Sequence, residues 1–176
     1  VRWILDDGPF DTLAAHVEPS DPIGYPPGKL IAVPTTELEA RQSSPRARFL
    51  EAASPEGGQV VEVFDPLVGG DDPAGEIFLE LHGEEGTATN RAEREAIAWA
   101  LAHGTDAVLV LEDKRAALTA LAELGRARVA HSFDLWIDLL DVGAVTPGEF
   151  QRLCKKTRGR DGGLNRMPSR VERRFP

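Results

Sequence analysis

The chain has 176 residues, 41% of them apolar and 28% charged, and a net charge of −9, which is enough for one domain with a sizeable core and ordinary for a soluble globular protein. No apolar run approaches the length that spans a bilayer, and the start shows no basic segment followed by an apolar stretch and a small-residue cleavage site, so a cytoplasmic protein with no membrane contact is expected. The single cysteine, Cys154, excludes an internal disulfide, and His16, His82, His103 and His131 lack zinc-type spacing.

Val1 to Leu5 reads as a first strand that runs into Asp6 and Asp7, and Phe10 to His16 as a short helix. Residues 18–28, broken by four prolines, read as a loop. Leu30 to Val33 is a second buried strand, after which Pro34, Thr35 and Thr36 open a helix that carries Glu37 and Glu39. Arg46 to Ala53 suits one further helix, and Gln59 to Phe64 a third strand. Pro66 to Gly75 reads as a loop rich in Gly, Pro and Asp, and the alternation in EIFLEL, Glu76 to Leu81, predicts an edge strand with one wet face.

Asn90, with Glu93 three residues on, predicts a helix start in which the Glu reaches back to the cap, and Glu95 projects from the next turn. Ala107 to Leu111 is continuously apolar, as in a parallel strand covered on both faces, and stops at Glu112, Asp113 and Lys114, where a helix through Leu124 begins. Arg126 to Ala130 predicts a short last strand and Phe133 to Leu140 an amphipathic helix. Thr146, Pro147 and Glu149 start a helix through about Lys156. The predicted fold class is therefore α/β, with three α/β/α layers around a central, mainly parallel sheet.

Residues 151–176 hold nine Lys or Arg against two acids, so the remainder carries −16. An acidic body with a basic end is compatible with carboxylates that hold cations and with a segment that neutralises phosphates; it also describes a solvated surface with a flexible tail. A domain over residues 1–157 and a basic, partly flexible tail over 158–176 are expected, with Lys155, Lys156, Arg158 and Arg160 as candidate RNA contacts.

In a doubly wound sheet the strand ends converge on one crevice, so Asp6, Glu37 or Glu39, Glu95 and Asp113 could meet there. Clustered carboxylates repel unless a hard cation such as Mg²⁺ or Mn²⁺ neutralises them, and such cations share oxygen ligands with phosphate. The pattern points to a metal-dependent phosphodiester hydrolase. With 29 acids in the chain, each taken singly also reads as a surface residue. A dinucleotide-dependent enzyme is disfavoured, since no G-x-G-x-x-G follows the first strand. A receiver-type phosphoacceptor would use the Asp6-Asp7 pair but lacks a clear third acid and lysine at the expected strand ends.

ILDDGPF at 4–10 resembles the opening strand of the PIN domain family, and AEREAIAWALAHGTDAVLVLEDKRAALTALAELG at 92–125 is similar to that family's central block; a looser match continues over 127–153. The resemblance implies a three-layer PIN-like nuclease fold and an endoribonuclease, in many members the toxin of a toxin-antitoxin pair. It implies catalytic acids Asp6, Glu37, Glu95 and Asp113, with Mg²⁺ or Mn²⁺ held by Asp6, Glu95, Asp113 and Glu112. RNA, a small antitoxin protein and a second copy of the chain are the implied partners. Departures from the family pattern are Glu112 in place of the commoner Asp, the long connection at 65–89 and the insecure second acid. They keep open an alternative, a non-catalytic PIN-like module that binds RNA or a protein.

Overall fold

A computed structural model describes residues 2–16, 30–32, 61–63, 72–82, 91–160 and 168–175. The strands are β1 (Arg2–Leu5), β2 (Leu30–Ala32), β3 (Val61–Val63), β4 (Ala107–Val110) and β5 (Val129–Ala130). The helices of the described residues are α1 (Asp7–His16), α2 (Pro73–His82), α3 (Arg91–His103), α4 (Lys114–Leu124), α5 (Ser132–Asp141), α6 (Pro147–Arg160) and the single turn α7 (Ser169–Glu172).

All strand pairs are parallel, in the order β3-β2-β1-β4-β5. β1 is central, with Leu5 opposite Ala32 on one side and opposite Val110 on the other. Because side chains alternate along a strand, β1 and β4 feed two cores. Trp3, Leu5 and Val110 pack with Phe10 and Leu13 of α1, Trp136 of α5, and Phe150 and Leu153 of α6. Ile4, Ala107 and Leu109 pack on the opposite side with Ile97 and Ala100 of α3 and Ala116 and Ala120 of α4. Each fully buried large side chain contributes about 1.5–3 kcal/mol, and the apolar runs at 3–5 and 107–111 read as buried strands for this reason.

The small residues on the α3 side let helix and sheet approach closely. Between α3 and β4, a Cβ on Gly104 would lie 2.6 Å from the Ala107 Cβ, so this turn admits no side chain. No helix of the described residues is long and apolar enough to cross a membrane.

Two expectations are corrected. Glu76 to Leu81 is not an edge strand, and Pro73 to Gly75 are not loop: both belong to α2. Ala74, Ile77, Phe78 and Leu81 recur at helical spacing, Ala74 and Phe78 are buried, and α2 packs on α3. Six residues are too few to separate the two periods, and the start signal lies just upstream: Asp72 Oδ1 accepts from the Ala74 N–H at 2.8 Å, with Pro73 in the first turn. The last strand is also shorter than 126–130, since Arg126–Arg128 forms a 3₁₀ turn before β5. The helix expected after Thr35, the one at 46–53 and the loop at 18–28 lie outside the described residues.

Within the basic C-terminal segment, α7 is docked. Val171 is fully buried in the first core, Arg170 pairs with Asp134, Arg174 pairs with Asp141 at 3.0 Å, and Phe175 meets Phe150 with ring centroids 5.5 Å apart.

Cys154 lies in the same core, and burial pushes its thiol up to about 12. It is therefore a reporter of opening: at pH 8 it should react with a disulfide reagent at least about 10³-fold more slowly in native buffer than in urea, the scale of the unfolded fraction. A native rate within tenfold of the urea rate would show that α6 detaches on its own.

Candidate functional site

Neighbouring strands β1 and β4 leave the sheet in opposite directions of chain order, one leading towards β2 and the other towards β5. This is a topological switch point, and the crevice beyond the strands' carboxyl ends is where open α/β sheets bind ligands. Asp6 follows β1, and Leu111, Glu112 and Asp113 follow β4; the Asp6 N–H donates to the Val110 carbonyl at 3.3 Å. Two helices begin at this edge. The Asp6 carbonyl accepts from the Phe10 N–H in the first turn of α1, and Asp113 caps α4, its Oδ1 accepting from the N–H groups of Arg115 and Ala116 at 2.8 and 2.9 Å.

Glu93 lies in the first turn of α3, near enough for Asp113 to act on it. Burial raises its pKa, and the charge of Asp113 raises it further, against a smaller lowering by Arg94. A proton on Glu93 is thus bound more tightly in the folded chain. The stability it brings fades as pH rises from the ordinary glutamate range through the raised value. Sequence reasoning read Glu93 as a cap for Asn90; Asn90 lies outside the described residues, and Glu93 stands close enough to Asp113 to feel its charge.

Glu95 and Glu112 have different surroundings from those expected of metal ligands. Glu95 is 1% exposed, on the buried side of α3, and Arg91 one turn earlier donates to it from Nε at 2.7 Å. Glu112 is turned into the protein: Oε1 accepts from Ser132 Oγ at 2.7 Å and from Thr157 Oγ1 at 3.4 Å, and Arg160 Nη1 lies 3.5 Å from Oε2. Among the described residues, no group of three His, Cys, Asp or Glu is placed to hold a metal ion. The expected gathering of Asp6, Glu95, Asp113 and Glu112 around one cation is therefore not present in them. Glu37 and Glu39 lie outside the described residues.

Arg160 also departs from its expected place as an open RNA contact. Its guanidinium donates to the Gly8 carbonyl and to Asp11 as well as approaching Glu112, so it ties α6 to the start of α1. A Cβ on Gly8 would lie 2.9 Å from Arg160 Nη1 and 3.2 Å from Glu112 Oε2, so glycine is what lets these groups meet. Lys155, Lys156 and Arg158 are exposed on α6.

Sequence reasoning missed Arg91, although its spacing from Glu95 is a legible helix pair. It also missed Ser132 and Thr157, which no local signal marks. In comparisons with known proteins, no family model, curated protein or solved structure matches the chain.

Proposed function

We propose that the chain is a PIN-like three-layer protein that acts on RNA as a Mg²⁺- or Mn²⁺-dependent phosphodiester hydrolase. The observation that carries this reading is the order of acids along the switch-point edge: Asp6 follows β1, Asp113 follows its in-register neighbour β4, and Glu93 stands within the field of Asp113. Mutually repelling carboxylates at a ligand crevice are relieved by a divalent cation. Of the described residues, Asp113 and Glu93 would be the pair offered to such an ion; Glu95 and Glu112, already paired with arginines, would position rather than bind. The ion would supply a hydroxide nucleophile and stabilise charge on phosphate. The exposed lysines of α6 would hold the RNA backbone. In a toxin-antitoxin setting, the partner that silences the chain would be a small antitoxin protein.

Asp113→Asn separates chemistry from folding, because Asn caps a helix as well as Asp does. Single-turnover cleavage of a single-stranded RNA should fall by roughly 10²-fold or more in Asp113→Asn and in Glu93→Gln, the scale of a lost electrostatic stabiliser, while RNA binding is kept. Mn²⁺ at 100 times its Kd should stabilise the native chain by about 2.7 kcal/mol and Asp113→Asn by much less.

A second reading is favoured by the arginines that already occupy Glu95 and Glu112. Acids neutralised within the chain suit a non-catalytic module that binds RNA or a protein. Salt-dependent RNA binding without cleavage, and without stabilisation by Mn²⁺, would select it.

A further inference from the structure

A hollow of about 590 Å³ opens at the carboxyl ends of β4 and β5 and reaches between α4 and β5. Its apolar wall is formed by Ala117 and Leu121, four residues apart on one face of α4, together with Val129 and Ala130 of β5. All four are only half-buried, so apolar surface is left open in the hollow. We propose that this hollow is a nucleotide site, which seats one nucleoside monophosphate with its base along the apolar wall and its phosphate at the sheet edge between Lys114 and Arg170.

Topology brings these two cations to one edge. β4 and β5 are parallel neighbours, α4 begins with Lys114 just after β4, and α5 begins with Ser132 just after β5. Asp134, in the first turn of α5, holds Arg170 of α7 at that edge. Lys114 is exposed and makes no ion pair among the described residues, and the Arg170 side chain is 58% exposed, so its fork keeps open surface for a second acceptor. The acids at the same wall are each engaged. Glu112 is held by Ser132, Thr157 and Arg160, Asp134 by Arg170 and the His131 N–H at 3.1 Å, and Asp113 caps α4. What the edge still offers a ligand is positive, which selects an anion, and a guanidinium with an ammonium across from it suits the oxygens of a phosphate. A base has the flat apolar face that the wall calls for. Arg126, exposed just past the end of α4, also lines the hollow and supplies donors for the polar edge of a base, which an aliphatic acid would leave unused. The volume lies within the range of pockets for small ligands, about 300–1,000 Å³.

The site needs neither metal nor cleavage, so it is tested on the full-length chain in EDTA. The four nucleoside 5′-monophosphates are titrated while the histidines are followed by NMR. At least one of them should shift His131, which lines the hollow, and leave His103 unmoved at the opposite edge of the sheet, where its carbonyl meets Arg2. It should bind at least tenfold more tightly than its nucleoside or inorganic phosphate. Lys114→Gln, at an exposed position, should lower nucleotide affinity about tenfold, the scale of a lost hydrogen bond to a charged group, and leave nucleoside affinity unchanged. Leu121→Ser should weaken nucleoside and nucleotide alike and spare inorganic phosphate. No monophosphate that shifts His131, a preference below tenfold, or a Lys114→Gln chain that binds like the native one overturns the site, as does octanoate binding as tightly as the nucleotide. The source is read by competition in EDTA. A single-stranded RNA that displaces the monophosphate, and that Lys114→Gln weakens by the same factor, identifies a nucleotide of an RNA chain and rests on the RNA reading above; RNA that does not displace it identifies a free nucleotide. A chain that binds the monophosphate but cleaves no RNA with Mn²⁺ keeps this site and loses the hydrolase, and one that cleaves RNA but binds no monophosphate does the reverse.

Discussion

Replacing Trp136 with alanine should destabilise the chain by about 3–5 kcal/mol, a large share of the 5–15 kcal/mol typical of a domain. Trp136 is fully buried on α5 at the centre of the first core, so its removal leaves a cavity between β1 and the helices of that side. Its Nε1–H also donates to Thr157 Oγ1 at 3.0 Å, and Thr157 in turn reaches Glu112. Trp136→Phe keeps most of the volume and loses that bond, so it should cost less, with about 1 kcal/mol from the bond itself. Urea denaturation followed by circular dichroism measures both, as a lower midpoint at an unchanged slope. A loss below 1 kcal/mol for the alanine variant would remove Trp136 from the core.

The second large effect is expected at Arg128, whose guanidinium serves the end of α3. Its Nε donates to the Ala107 carbonyl at 3.2 Å, and Nη2 donates to the carbonyls of Ala100 and Gly104. The last carbonyls of a helix lack partners within it and carry partial negative charge, and one planar fork answers them together with the turn and the start of β4. Arg128→Met retains the apolar stem but removes the charged donor, leaving the Ala100 and Gly104 carbonyls with only the backbone N–H groups of Gly104 and Ala107, at a cost of about 2–3 kcal/mol, or roughly 5–10 °C in Tm. Arg128→Lys, with a point charge in place of a fork, should fall between. A methionine variant that melts with the native chain would show that solvent serves these carbonyls equally well.

What was legible in the sequence follows from the range of the interactions. β4 is apolar throughout and β1 is apolar from Trp3 onwards because cores press on both of their faces, and that continuity is visible in one dimension. The acids that end them, Asp6 and Asp113, could be placed at the crevice for the same reason. α2 was misread because EIFLEL satisfies both periods over so short a stretch, and the arbiter, Asp72 with Pro73, lay in a segment rich in turn residues. The choice between Glu93 and Glu95 depends on the rotation of α3, which is set when Ala96, Ile97 and Ala100 settle against the sheet; that rotation buries Glu95 and turns Glu93 towards Asp113. The partners of Glu112 lie 20 and 45 positions away at Ser132 and Thr157, beyond the reach of any local pattern.

Synthesis delivers the two cores at different moments. The side built from Ile4, Ile97, Ala100, Leu109, Ala120 and Leu124 has all these buried members once residue 124 is made, and Val129 joins its margin soon after. The other side needs Trp136, Phe150, Leu153 and finally Val171 against Trp3 and Leu5. One face of β1 therefore waits, apolar and uncovered, for the last helices, and the ties from Arg160 to Gly8 and Asp11 close across 152 and 149 positions of chain. Such distant closures are slow, and an apolar face held open in the meantime invites aggregation. A chain stalled on the ribosome before α6 would hold one finished half and one open half, with the Trp3 and Leu5 face as the surface a chaperone would cover.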